Sequence, residues 1–239
     1  MTLCMCLCYR GAVSTESLHQ RLRAELQRIA DPGKAPQMQR YMKSAMPYLG
    51  VAAPQLRAAC KAVFASLAFE DARAWREAVK TIWENARHRE EWYAAIELSG
   101  HRTARSFQTF DALPLYERMI VEGAWWDIVD AVASQRLGPL LRNDARMRDV
   151  MLTWSVDDHM WKRRASIISQ LHFKGDTDLE LLYTCIEPSL SSREFFLRKA
   201  IGWALRQLAR TQPEEVKRYV REHEHDLSSL SKREALKHL

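Results

Sequence analysis

From Leu18 to the last residues, apolar side chains recur at three- and four-residue spacing in one short segment after another. That spacing places them on one face of a helix, and a breaker closes each segment. Leu18, Leu22, Leu26 and Ile29 form the first face, which ends at Asp31-Pro32-Gly33. Met38, Tyr41 and Met42 form a second, broken by Pro47 and Gly50. Pro54 suits the first turn of a third helix, carrying Leu56, Cys60, Val63 and Phe64. Trp75, Val79, Ile82 and Trp83 mark a fourth, and Trp92, Ile96 and Leu98 a fifth. Pro114 opens another through Tyr116, Met119 and Ile120, and a helix beginning at Trp125 follows. Later spacing predicts helices over 143–154, 158–172, 177–187, 193–210 and 213–223. Gly138-Pro139, Gly175-Asp176, Glu187-Pro188-Ser189 and Gln212-Pro213 are the breakers there. No segment alternates with the two-residue period of a strand. The expectation is an all-α chain.

Helix pairs recur about every 40 residues, the spacing of a HEAT-like solenoid. Such stacking leaves a concave surface for an extended ligand, and a basic, Trp-lined one suits a duplex. Residues 15–239 read as a single domain behind a flexible tail at 1–14. At 239 residues and 47% hydrophobic composition the chain can bury a substantial core. No apolar run is long enough to cross a membrane. The apolar start, Met1 to Tyr9, has neither a basic n-region nor a clear cleavage site.

A formal charge of +6 and eight Trp suit a polyanionic partner, although Trp and Arg also enrich protein interfaces. Five Cys, an odd number, argue for a reducing compartment. Cys4, Cys6 and Cys8 lack the two-residue gap of zinc sites and read as part of the tail. No His spacing suggests a metal site.

One stretch, Trp125-Trp126-Asp127-Ile128-Val129-Asp130, stands apart. At about 100° per residue, Trp125, Ile128, Val129 and Val132 share an arc of roughly 100° and form the core face. Trp126 and Asp130 lie outside it, within about 40° of each other. A flat ring beside a carboxylate is suited to holding an electron-poor sugar or base. The plain alternative is a half-buried Trp and a solvated acid.

Two more helices carry unusual residues. Between Phe195 and Arg210, the apolar side chains fill half the wheel, while Lys199, Trp203, Arg206 and Arg210 share an arc of roughly 60° opposite. Such a stripe can meet phosphates and a sugar or base, or it can be a solvated face. Between Trp161 and Leu171, Arg164 falls among the core positions. A buried guanidinium must be paired or must reach past the core to a ligand. An internal salt bridge to an acid such as Asp158 is the simpler alternative.

These residues, in this order, resemble the AlkD family of bacterial alkylpurine DNA glycosylases. The stretches that carry the resemblance are Tyr41-Met42-Lys43, Tyr48-Leu49-Gly50, Trp125-Trp126-Asp127 with Val129-Asp130, and Trp161 with Arg164-Ala165. Further on they are Glu194-Phe195-Phe196, Lys199-Ala200-Ile201-Gly202-Trp203, Leu205-Arg206 and Ser231-Lys232-Arg233-Glu234-Ala235. The resemblance runs from about residue 18 onward. It implies a HEAT-like fold and an enzyme that removes cationic N3- and N7-alkylated purines from duplex DNA without flipping the base. The family's catalytic acid matches Asp130, its aromatic partners match Trp126 and Trp203, and its backbone-gripping arginine matches Arg164. Tyr41, Lys43, Lys199 and Arg206 lie in matched stretches and are expected to help hold DNA. The implied partner is alkylated double-stranded DNA, met by a monomer in the cytoplasm at the nucleoid, with no metal or other cofactor.

The chemistry agrees with that implication. A cationic purine is already a good leaving group. The barrier lies in the oxocarbenium charge growing on deoxyribose and in delivering water to C1′. One carboxylate can stabilise that charge and orient the water, and indole faces favour the cation. The paired acid and base of a glycoside hydrolase is unnecessary. No Lys is placed as a Schiff-base nucleophile, so a monofunctional enzyme is expected. Two other readings compete: a non-catalytic HEAT-like binder of DNA structures, and a protein-binding helical scaffold.

Overall fold

The computed structural model describes residues 15–239. The expected tail at 1–14, with Cys4, Cys6 and Cys8, lies outside the described residues. The described residues are all-helical, of the helical-repeat class, and contain no strand. They fall into two compact units that divide between Arg105 and Ser106.

The first unit holds α1 (Thr15–Arg28), α2 (Ala35–Met42), α3 (Ala53–Phe64), α4 (Ala72–Glu84) and α5 (Arg89–Ser99). The predicted face of α1 is its buried one: Leu18, Leu22 and Leu26 are inaccessible, against α3 and α4. Asp71 caps α4 by accepting from the Ala74 N–H at 2.7 Å, and Trp75, Val79 and Ile82 fill the core. Trp83 and Trp92 stack at 4.5 Å.

Two adjacent buried carboxylates at the start of α5 organise this unit. Glu90 Oε1 accepts the backbone N–H groups of Leu49, Gly50 and Val51 at 2.9–3.1 Å, fixing the loop before α3. Gly50 has φ +83, and a Cβ there would lie 2.1 Å from the Asp31 carbonyl oxygen, so only glycine fits. Glu91 Oε2 accepts from the N–H groups of Arg87 and His88, while its Oε1 meets Arg23 Nε at 2.9 Å and His19 Nε2 at 3.0 Å. Burial pushes the Glu91 carboxyl up, but these donors together outweigh it and hold it at about 2.

The second unit holds α6 (Leu113–Gly123), α7 (Trp126–Val132), α8 (Gly138–Asn143), α9 (Arg146–Ser155) and α10 (Met160–Ile168). It continues with α11 (Leu179–Ile186), α12 (Phe195–Ala209), α13 (Pro213–Glu222) and α14 (Ser229–Ala235). Helix α10 packs against α6, α7, α9, α11 and α12, and α12 also packs against α13 and α14.

Three expectations are corrected here. Gly138-Pro139 does not break the chain: a π-helical stretch, Ala133–Leu137, runs from α7 straight into α8. The wider turn accommodates a proline with no N–H to give. Trp125 is not on the helix, because it sits extended at φ −152 as the residue before α7 and is half-buried. Helix α10 stops at Ile168 rather than 172, where Ser166 and Ser169 turn their hydroxyls back onto the carbonyls of Arg163 and Ser166.

Candidate functional site around Asp130 and Arg164

The site begins at a sharp corner between α6 and α7. Ala124 is left-handed (φ 34), so the chain reverses and Trp125 leaves it extended. Helix α7 then presents half-buried Trp126 and, one turn on, Asp130. Ile128, Val129 and Val132 are fully buried, as their wheel positions predict.

Asp130 meets Arg164 of α10 through a fork. Arg164 Nε donates to Oδ1 at 2.7 Å and Nη2 donates to Oδ2 at 2.8 Å. A third donor, Nη1, reaches the Phe196 carbonyl at the start of α12 at 2.5 Å. One guanidinium therefore ties α7, α10 and α12 together, with three of its five N–H groups committed. The Asp130 side chain is 15% exposed and that of Arg164 only 5%. Both carboxylate oxygens accept N–H donors, so the geometry is that of an ionised pair. Burial pushes the Asp130 carboxyl up from its ordinary value, Arg164 pulls it back, and Asp127 adds a smaller upward push.

The internal salt bridge for Arg164 is thus present, but its acid is Asp130 and not Asp158. The spacing along the chain is 34 residues, beyond any wheel projection. Around the pair stands a wall of aromatic rings. Trp125 lies 5.0 Å from Phe196 and 5.9 Å from Trp161, and Trp161 lies 5.0 Å from Phe196. Phe195, 55% exposed, stands edge-on to Phe196 at the rim. The Trp125 indole N–H is buried and has no hydrogen-bond partner among the described residues.

Trp203 lies seven residues after Phe196 on α12, two turns along and nearly on the same side. It is half-buried, between Lys199 and Arg206. Both of these cations bind Glu234 of α14, through Lys199 Nζ at 2.8 Å and Arg206 Nη1 at 2.6 Å. Sequence reasoning missed Glu234 as an ion-pair partner, although the acid stands in the matched Ser231–Ala235 stretch. Tyr41 and Lys43 belong to the first unit. Tyr41 is 74% exposed on the last turn of α2, and Lys43 caps that helix in the left-handed conformation (φ 50).

Among the described residues, no group of three or more His, Cys, Asp or Glu side chains is arranged to hold a metal ion, and no helix is long and apolar enough to cross a membrane. Cys60 and Cys185 are buried free thiols, and burial pushes each up to about 12.

These features define an all-helical repeat protein with a buried carboxylate–arginine site bordered by indole rings. The family model for DNA alkylation repair enzymes matches residues 22–239, and the chain belongs to that family. The matched stretch spans both units. A solved structure described as a predicted DNA alkylation repair enzyme from Enterococcus faecalis is 27% identical. The match covers 88% of this chain and 96% of that one, with a TM-score of 0.79. Among curated proteins, none matches.

Proposed function

We propose that the protein is a monofunctional DNA N-glycosylase that hydrolyses the N-glycosidic bond of cationic N3- and N7-alkylated purines in duplex DNA. The base stays in the stack, and bulky adducts are included among the substrates. The observation that carries this reading is the Asp130 carboxylate, largely buried on the helix that also presents Trp126 and gripped through both oxygens by Arg164 of α10.

The roles follow from the chemistry. Ionised Asp130 faces the deoxyribose as its oxocarbenium charge grows, and it orients the water that attacks C1′. Two lone-pair positions on each carboxylate oxygen allow this while Arg164 holds one on each. Trp126 and Trp203 flank the sugar with their electron-rich faces. Arg164 acts first as a positioning residue for Asp130, and its remaining N–H groups are those available to a phosphate. Tyr41, Lys43, Lys199 and Arg206 contribute to backbone binding. The protein acts as a monomer on alkylated double-stranded DNA at the nucleoid, without metal or other cofactor.

A second reading, a non-catalytic binder of DNA structures, draws on the fact that Arg164 already occupies both Asp130 oxygens. One experiment separates the two. Methylated duplex is incubated with wild type and with Asp130→Asn, and free 7-methylguanine and 3-methyladenine are measured. Release by wild type alone supports the glycosylase. Duplex binding without release by either protein supports the binder.

A further inference from the structure

The basic stripe on α12 is divided in two by Glu234. Its inner cations, Lys199 and Arg206, already answer the Glu234 carboxylate, which is only 14% exposed. The bond from Lys199 is the largest influence holding that carboxyl below its ordinary value. Close helix packing fixes it there. A Cβ on Gly202 would stand 2.5 Å from Glu234 Cβ and 2.9 Å from the Ser231 carbonyl oxygen. Ser231 Oγ also donates to the Arg198 carbonyl of α12 at 3.0 Å.

One turn beyond Arg206, the surroundings change. Arg210, Lys237 and His238 join Arg206 and Gln207 around an open cleft of about 550 Å³. Arg210, Lys237 and His238 are exposed, and none has an ion-pair or side-chain hydrogen-bond partner among the described residues. Phosphate binding at the inner pair exchanges one anion for another, because Glu234 is already there. Among the outer cations only Lys237 feels Glu234, as the weakest of the charges that lower its carboxyl, so binding there chiefly displaces mobile counterions, the source of salt-dependent affinity for duplex DNA.

We propose that this cleft at the end of α12 is a backbone-phosphate site for duplex DNA. It lies outside the Asp130 site and adds sequence-independent grip to the weaker hold of Lys199 and Arg206, which Glu234 already neutralises in part. This rests on the duplex-DNA reading above. Arg210 offers a guanidinium fork to phosphate oxygens and Lys237 a point charge beside it.

The test is equilibrium binding of an undamaged duplex to the full-length protein across a salt series, with thermal melting of each variant alongside. The double variant Arg210→Gln/Lys237→Gln is expected to flatten the slope of log K against log salt by about one to two. Lys237→Glu, a single exposed change, is expected to flatten it by about one or more. Lys199→Gln is expected to change it less than the double variant does. An unchanged slope in the first two variants overturns the proposal, as does a larger loss in Lys199→Gln. If wild type still releases alkylated purines in that case, the cleft is removed and the glycosylase reading stands. A wild type that binds no duplex removes both.

Discussion

At the scale of residues, the pairing of Asp130 with Arg164 sets the pH behaviour expected of the reaction. The chemistry needs the ionised carboxylate, which exists above the folded pKa and is lost as pH falls through it. Burial raises that pKa. The acid limb of the excision rate therefore lies above about 3.8, the ordinary range of an aspartate. A single-turnover pH profile on methylated duplex checks this, and Asp130→Asn is expected to lower the plateau on the order of 10²-fold or more while duplex binding persists. The partner residue behaves differently. Arg164→Ala leaves a buried carboxylate without its cation, which costs about 3–5 kcal/mol in unfolding experiments, and it loses excision with it. Arg164→Lys keeps the charge but not the fork, so it falls between the two in urea midpoint. Equal stability of Arg164→Ala and wild type contradicts a pairing role.

At the scale of elements, the periodicity of apolar residues placed most of the helices, because helix faces are local, but it left out the short α8 and α14. The corners were not legible, since they depend on contacts far along the chain. Nothing in Gly123-Ala124-Trp125 announces that an alanine turns left-handed, or that Trp125 leaves the helix for rings at 161 and 196. Likewise Gly138-Pro139 reads as a stop, and only the surrounding packing makes it a π-turn. Asp130 could be singled out as a candidate acid from its neighbour Trp126, but the cation it pairs with lies on another helix and could not be assigned from a wheel. In the first unit, the two glutamates at the head of α5 were passed over for the same reason. Their consequence is measurable. Glu91 drops from an ordinary 4.5 to about 2 on folding, so its stabilisation is complete above about pH 4.5 and is lost as pH falls toward 2. Thermal melting of wild type is therefore expected to decline through that window. Glu91→Gln is expected to start from a lower melting temperature and to decline less steeply. A mutant curve parallel to that of wild type counts against the network.

At the scale of the whole molecule, a net charge of +6 gives the chain a general attraction for a polyanion, and this says nothing about which lesion is cut. Selectivity has to come from the leaving group. In the proposed mechanism one carboxylate serves the sugar, and no residue is assigned to protonate the departing base. Alkylation at N3 or N7 has already placed the positive charge that such a proton would supply. A neutral lesion lacks it, and general acid catalysis elsewhere is worth about 10²–10⁴ in rate. The expected outcome is that duplexes carrying 7-methylguanine or 3-methyladenine are cut at least about 10²-fold faster than one carrying a neutral adduct such as 1,N6-ethenoadenine. A base that stays in the stack also meets no enclosing pocket, whereas an extruded base must fit one. A bulky N7 adduct is then cut at a rate comparable to the methyl lesion. Measuring all three duplexes under single-turnover conditions separates the two parts of the argument. Equal rates on charged and neutral lesions would mean that an acid acts on the base. Rejection of the bulky adduct alone would mean that a pocket encloses it.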